Sequence, residues 1–242
     1  MKLSSRQSRL GTETAFETLA KAKKLEAQGK NIVHLEIGEP DFDSPSYVID
    51  AAKEALDQGF THYGPSAGQP ELRNAIAIHQ GEFNGYSISP ENVIVTPGGK
   101  PVMFFSLLAL IEEGDEVIYP NPGFPIYESM INYSGGTPIP MKLEEAKDFN
   151  ANIDDLKKLI TDKTKMMIIN SPNNPCGSVT TKDDLEQIAE IAIENNIIVL
   201  SDEIYKDMYY EGEHYSITKF NGMKERTIIL DGFSKSYAMT GW

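Results

Sequence analysis

Five short polar segments hold the residues able to do chemistry: PGGK (97–100), NPGF (121–124), NSPNNPCG (170–177), SDEIY (201–205) and DGFSK (231–235). Lys235 is the potential nucleophile, because an amine in a partly desolvated site loses its proton more readily and can attack an aldehyde. A lone Ser-Lys pair has little specificity, since most lysines are solvated surface charges. Asp202 directly follows the apolar run IIVLS. It is either a helix cap or a carboxylate facing a protonated ring nitrogen, which would let that ring accept electrons. Gly98, Gly99 and Lys100 can bring backbone N–H groups close to an anion at a helix start, although roughly half of such glycine pairs are only tight turns. The spacing is neither G-x-G-x-x-G nor a P-loop, so a dinucleotide or nucleoside triphosphate is not indicated. Phe124 is core or a ring stacked on a flat cofactor. Asn174 is a turn residue or a donor to a phenolic oxygen, which Tyr205, three residues beyond Asp202, could share.

The segments have a position in common, since each follows a strand-like run. Strands are predicted at 92–96, 116–119, 137–140, 166–170, 197–201 and 227–230, mostly short Ile- and Val-rich runs without strict alternation, as in strands buried on both faces. Helices fill the intervals, one opening at Thr181 with Asp184 and another at Asn152 with Asp155. Upstream, helices are expected over 13–28, from Ser44-Pro45 to near Gly59, and after Gln69-Pro70, with a short strand at 32–37. This is an α/β pattern: a three-layer αβα arrangement around a mostly parallel mixed sheet. Ligands of such sheets bind beyond the carboxyl ends of the strands, so one edge is expected to gather a phosphate site, a ring site and an amine.

Composition narrows the function classes. The 242 residues carry a formal charge of −14, which opposes nucleic-acid phosphates but not small anions held by local donors. One cysteine, Cys176, excludes an internal disulfide, and four scattered histidines give no metal-ligand spacing. The start lacks the apolar core of a signal peptide, and the apolar run 101–111 is too short to span a bilayer. A cytoplasmic protein is expected.

The motifs IGEPDFDSP (37–45), YGPSAGQPELR (63–73), VTPGGK (95–100), YPNPGFPIY (119–127), NSPNNPCG (170–177), SDEIY (201–205) and GFSKSYAMTGW (232–242) follow one another in an order that resembles the class I aminotransferases of pyridoxal-phosphate fold type I, the aspartate aminotransferase group. The resemblance implies that Lys235 holds pyridoxal 5'-phosphate as a Schiff base and moves the substrate proton. It further implies that Asp202 pairs with the pyridine nitrogen, that Asn174 and Tyr205 bond the phenolic oxygen, and that Phe124 stacks on the ring. Gly98, Gly99, Lys100 and Ser234 would hold the phosphate, and Gly38 would present its N–H to the substrate carboxylate. Tyr63 would reach the phosphate of the partner subunit in a homodimer. The implied reaction moves an amino group from an aspartate-like α-amino acid to a 2-oxo acid such as 2-oxoglutarate. Residues 1–40 would be an N-terminal arm and small-domain segment, and 41–242 the cofactor-binding large domain, incomplete at its C-terminus.

Departures stand beside the likeness. Cys176 takes the place of the family's usual threonine after Asn-Pro, and Gly232 the place where many relatives carry a phosphate-binding serine. The family's arginine after Gly-Trp and its later carboxylate-clamping arginine are not among these 242 residues. The resemblance also implies a further strand between those at 92–96 and 227–230, so a polypeptide ending at Trp242 is expected to be unstable or aggregation-prone, with little transaminase activity. Two other readings stay open: a lyase (β-elimination) on the same cofactor, and a non-catalytic short relative acting as a dimerising or binding module. Retention of Lys235, Asp202, Asn174 and Tyr205 together weighs against the last.

Overall fold

The structure is a computed structural model that describes residues 2–11 and 14–242. Three helices come first: α1 (Thr14–Glu26), α2 (Ser46–Asp57) and α3 (Pro70–Asn84). The α/β part runs α4 (Lys100–Leu110), β1 (Glu116–Asn121), α5 (Ile126–Ser134), β2 (Thr137–Glu144), β3 (Asn150–Ala151), α6 (Ile153–Leu159), β4 (Thr164–Asn170), α7 (Lys182–Glu194), β5 (Ile198–Asp202), β6 (Thr227–Leu230) and the short α8 (Phe233–Ser236). The six strands lie in the order β3-β2-β1-β4-β5-β6, parallel throughout except where β3 pairs antiparallel with β2. The expected mostly parallel mixed sheet is therefore present.

Alternation along each central strand makes the three layers. Ile118, Met167, Ile169 and Val199 face one way and pack with Leu156 of α6 and Leu185, Ile188 and Ala192 of α7. Val117, Tyr119, Met166, Ile168 and Leu200 face the other way, against Met103 and Leu107 of α4 and Tyr127 and Ile131 of α5. Both faces need apolar residues, which is why these strands lack polar alternation.

Helix starts follow their local chemistry. Thr181 Oγ1 accepts from the Asp184 N–H at 3.1 Å and its hydroxyl donates to the Asp184 carboxylate at 2.8 Å. Asn152 Oδ1 accepts from the Asp154 N–H at 3.1 Å. Thr181→Ala leaves an orphan N–H at the start of α7 and is expected to cost about 1 kcal/mol, read as a lower midpoint in denaturant with an unchanged slope.

Several expectations are corrected. Residues 92–96 are not a strand: a 3₁₀ turn covers Pro90–Asn92, and the following segment is held by the Val95 N–H donating to Ala67 O and by Val93 O accepting from Arg73 Nε, both at 2.9 Å. A strand exists by its ladder, and no strand among the described residues runs beside this one. The same holds for 32–37, where Val33 and Leu35 are 78% and 90% exposed. Ser44 does not cap α2, whose N-cap is Pro45; its hydroxyl donates instead to Ala238 O at 2.7 Å, tying the entry of α2 to the far end of the chain. Helix α1 opens at Thr14; the expected first residue, Glu13, lies outside the described residues. The hairpin partner β3 went unpredicted because two residues are too few to show a period.

Candidate active site at the carboxyl edge of the sheet

Register brings the strand ends level. Asn170 of β4 stands beside Asp202 of β5, and Asp202 beside Leu230 of β6. The chain then needs four residues to reach Asn174, three to reach Tyr205 and five to reach Lys235. All three therefore emerge over the same edge.

Asp202 is 4% exposed. One carboxylate oxygen accepts from the Tyr127 hydroxyl at 2.6 Å and the other from the Ile204 N–H at 3.2 Å. Burial pushes its carboxyl up to about 6, opposed by the Tyr127 hydrogen bond and aided by the charge of Asp231. Burial and the nearby Asp202 charge hold the Tyr127 phenol well above its ordinary value, so it stays a neutral donor. Asn170 fixes the surrounding backbone: its amide donates to Asp202 O at 3.1 Å and its carbonyl oxygen accepts from the Asn174 N–H at 2.8 Å. The Asn174 side chain in turn donates to the Tyr205 hydroxyl at 3.4 Å. Burial raises the Tyr205 phenol.

Lys235, in α8, is half-buried, and its ammonium lies 5.8 Å from the centre of the Tyr205 ring. It donates to the Gly38 carbonyl at 2.6 Å, so the structure engages the C=O of Gly38. Burial lowers the Lys235 amine below its ordinary value, opposed by the charge of Glu39. The segment around Gly38 is further fastened by Thr240 to Glu39 at 2.6 Å and Trp242 to Ser44 at 3.1 Å.

The glycine pair closes another side. Gly98 has φ 86°, in the left-handed region where a side chain is strained, and a Cβ there would meet nothing within 4 Å. A Cβ on Gly99 would come within 3.3 Å of Leu230 Cδ2, so this turn packs closely on the end of β6. Lys100 begins α4, its ammonium 5.9 Å from the centre of the Phe124 ring. Phe124 is half-buried, edge-on to Tyr127 with centroids 5.8 Å apart. Ser234 lies half-buried in α8. At Gly232 a Cβ would press on Ile204 Cδ1 at 3.2 Å, a physical reason for glycine there. Tyr63 stands apart, fully exposed. Cys176 fits its turn, its N–H donating to Asn173 Oδ1 at 3.1 Å while burial raises the thiol.

Residue-by-residue reading missed Tyr127 and Asn170. Tyr127 sits three residues past Phe124 within a quoted motif, and tyrosine hydroxyls seek partners when buried. Tyr127→Phe removes a bond that favours the ionised carboxylate. The Asp202 carboxyl is expected to rise further, by roughly half to one pH unit, as read from the carbon-13 shift of its carboxyl across a pH titration.

A buried carboxylate and a half-buried amine thus lie over the carboxyl edge of a doubly covered, mostly parallel sheet, in a three-layer α/β protein. The chain belongs to the aminotransferase class I and II family, whose model matches residues 30–242. It is 47% identical over 215 residues to the aspartate aminotransferase of Pyrococcus abyssi, covering 88% of this chain and 55% of that protein. To the aromatic-amino-acid aminotransferase 2 of Thermococcus litoralis it is 44% identical, covering 89% of this chain and 56% of that one. The solved structure of Thermus thermophilus aspartate aminotransferase with maleate superposes with a TM-score of 0.96 at 40% identity, over all of this chain and 63% of that chain. The chain thus spans about three fifths or less of the length of these relatives.

Proposed function

We propose that the protein transfers an amino group from an aspartate-like α-amino acid to a 2-oxo acid such as 2-oxoglutarate, using pyridoxal 5'-phosphate. The observation that carries this reading is the pairing of a buried Asp202 carboxylate with a half-buried Lys235 amine of lowered basicity, framed by Tyr205 and Asn174. The residues suit the cofactor. A buried acid with so little solvation gains most from a cationic ring nitrogen, and the space beside Gly98, just before α4, is open to a phosphate.

In this reading Asp202 holds the charge of the ring nitrogen, while Tyr127 keeps its carboxylate oriented. Asn174 and Tyr205 would hold the phenolic oxygen, and Phe124 would stack on the ring. Gly98, Gly99, Lys100 and Ser234 hold the phosphate, with Tyr63 serving the partner subunit of a homodimer. The N–H of Gly38 receives the substrate carboxylate once Lys235 has left its carbonyl. When bound, the cofactor supplies an aldehyde and a ring able to accept electrons from the substrate carbon. Lys235 would hold the aldehyde carbon of the cofactor, and its free amine would move a proton at the substrate α-carbon as a general base and acid. Burial aids this by keeping a larger share of the amine unprotonated. Residues 1–40 act as an arm and small-domain segment and 41–242 as the large domain, in a cytoplasmic homodimer; no helix among the described residues is long and apolar enough to cross a membrane.

In a protein whose sequence continues past Trp242 with the family's C-terminal portion, nitrogen-15 aspartate, 2-oxoglutarate and added pyridoxal phosphate are expected to place the label in glutamate, with little transfer from residues 1–242 alone. Label released as ammonia would contradict transfer and favour the lyase reading.

A further inference from the structure

The geometry points to Lys206 and Asp231 as positioning residues for Lys235, an inference that rests on the amine-transfer reading above. Asp231 lies between the end of β6 and the start of α8. Both its carboxylate oxygens are used. One accepts from the N–H of Gly232 at 2.8 Å, fixing the backbone three residues before Lys235. The other accepts from Lys206 Nζ and from Gln80 Nε2, the latter at 2.6 Å.

Lys206 is an unusual surface-type residue to find here, with a side chain 1% exposed. Its ammonium lies 5.3 Å from the centre of the Phe83 ring of α3, so its stem and head are both enclosed. A lysine is buried this way only when a specific partner offsets the lost hydration. The partner's placement matters because Lys206 directly follows Tyr205, whose hydroxyl meets Asn174 and whose ring faces Lys235. The ion pair thus fastens the turn after β5, which follows Asp202 and carries Tyr205, to the turn after β6, which leads into Lys235 of α8. Gln80 anchors the same carboxylate to α3. Neither residue touches the reacting atoms; they set the spacing between the groups that do.

The test compares Lys206→Met, Asp231→Asn and Lys206→Arg with the unaltered protein, with and without cofactor. Without cofactor, acetic anhydride labels the lysines at fixed pH, and mass spectrometry follows Lys235 relative to the exposed Lys53 and Lys158. Lys206→Met and Asp231→Asn are expected to change Lys235 labelling about threefold or more, the scale of one lost hydrogen bond, with Lys53 and Lys158 unmoved. Lys206→Arg should recover most of the original rate. With cofactor, kcat should fall about tenfold while KM for the amino acid stays near its original value, as a misplaced reacting group requires. Variants that melt earlier but leave Lys235 labelling unchanged would overturn the proposal, as would failure of arginine to rescue. Should Lys206→Met not fold, Asp231→Asn and Lys206→Arg decide alone. An unaltered protein that takes up no pyridoxal phosphate would overturn the functional reading instead, and the labelling result would still decide this one.

Discussion

Lys235→Ala is expected to lower amino transfer by about 10²–10⁴-fold from lost proton transfer alone, with a further loss because no covalent anchor remains. The side chain is only half-buried and its one hydrogen bond among the described residues is to the Gly38 carbonyl, so folding should change little, within about 1 kcal/mol. The signature is therefore a collapse in kcat with a nearly unchanged melt. Steady-state rates alongside calorimetry check it; a variant that retains a tenth of the activity would place the proton-moving group elsewhere.

Asp202→Asn should move activity and stability in opposite directions. The amide keeps the shape and can still accept from the Tyr127 hydroxyl, but it has no charge to hold a ring nitrogen protonated. Turnover should fall on the order of 10²–10³-fold, the scale of a lost preorganised charge in a buried site. Stability without cofactor goes the other way. The folded carboxyl sits at about 6, above its unfolded value, so its contribution is fully present below the unfolded value and is lost as pH rises through about 6. Near pH 8 the ionised, buried carboxylate costs roughly 2–3 kcal/mol that asparagine does not, set against about 1 kcal/mol for the Ile204 N–H bond that the amide NH2 cannot accept. The cofactor-free variant is thus expected to melt higher than the unaltered protein at pH 8, the gap closing towards pH 4. Equal melting at both pH values would show that Asp202 is not under desolvation strain.

Much of the fold was legible because the signals were local. Ile- and Val-rich runs gave five of the six strands of 116–230, and Thr181 and Asn152 marked their helix starts by side-chain chemistry. The strand ends then located Asn174, Asp202, Tyr205 and Lys235 on one edge. What failed depended on neighbours. Residues 92–96 and 32–37 have strand-like composition, yet a strand needs a partner across the ladder, which no local window can show. Ser44 looked like a cap but spends its hydroxyl on Ala238, distant in sequence. Tyr127, Asn170, Lys206 and Asp231 were hidden for the same reason: their worth lies in partners 25 to 151 residues away, or in backbone they fix, and nothing at their own positions announces it.

The account stands on a single chemical bond, so the most direct measurement is borohydride reduction of protein saturated with pyridoxal phosphate, followed by peptide mass spectrometry. The account predicts a yellow protein bleached by the reagent, with the reduced pyridoxyl group on the peptide containing Lys235 and none on the Lys235→Ala variant. A colourless protein, or a label spread over surface lysines with Lys235 untouched, would contradict it.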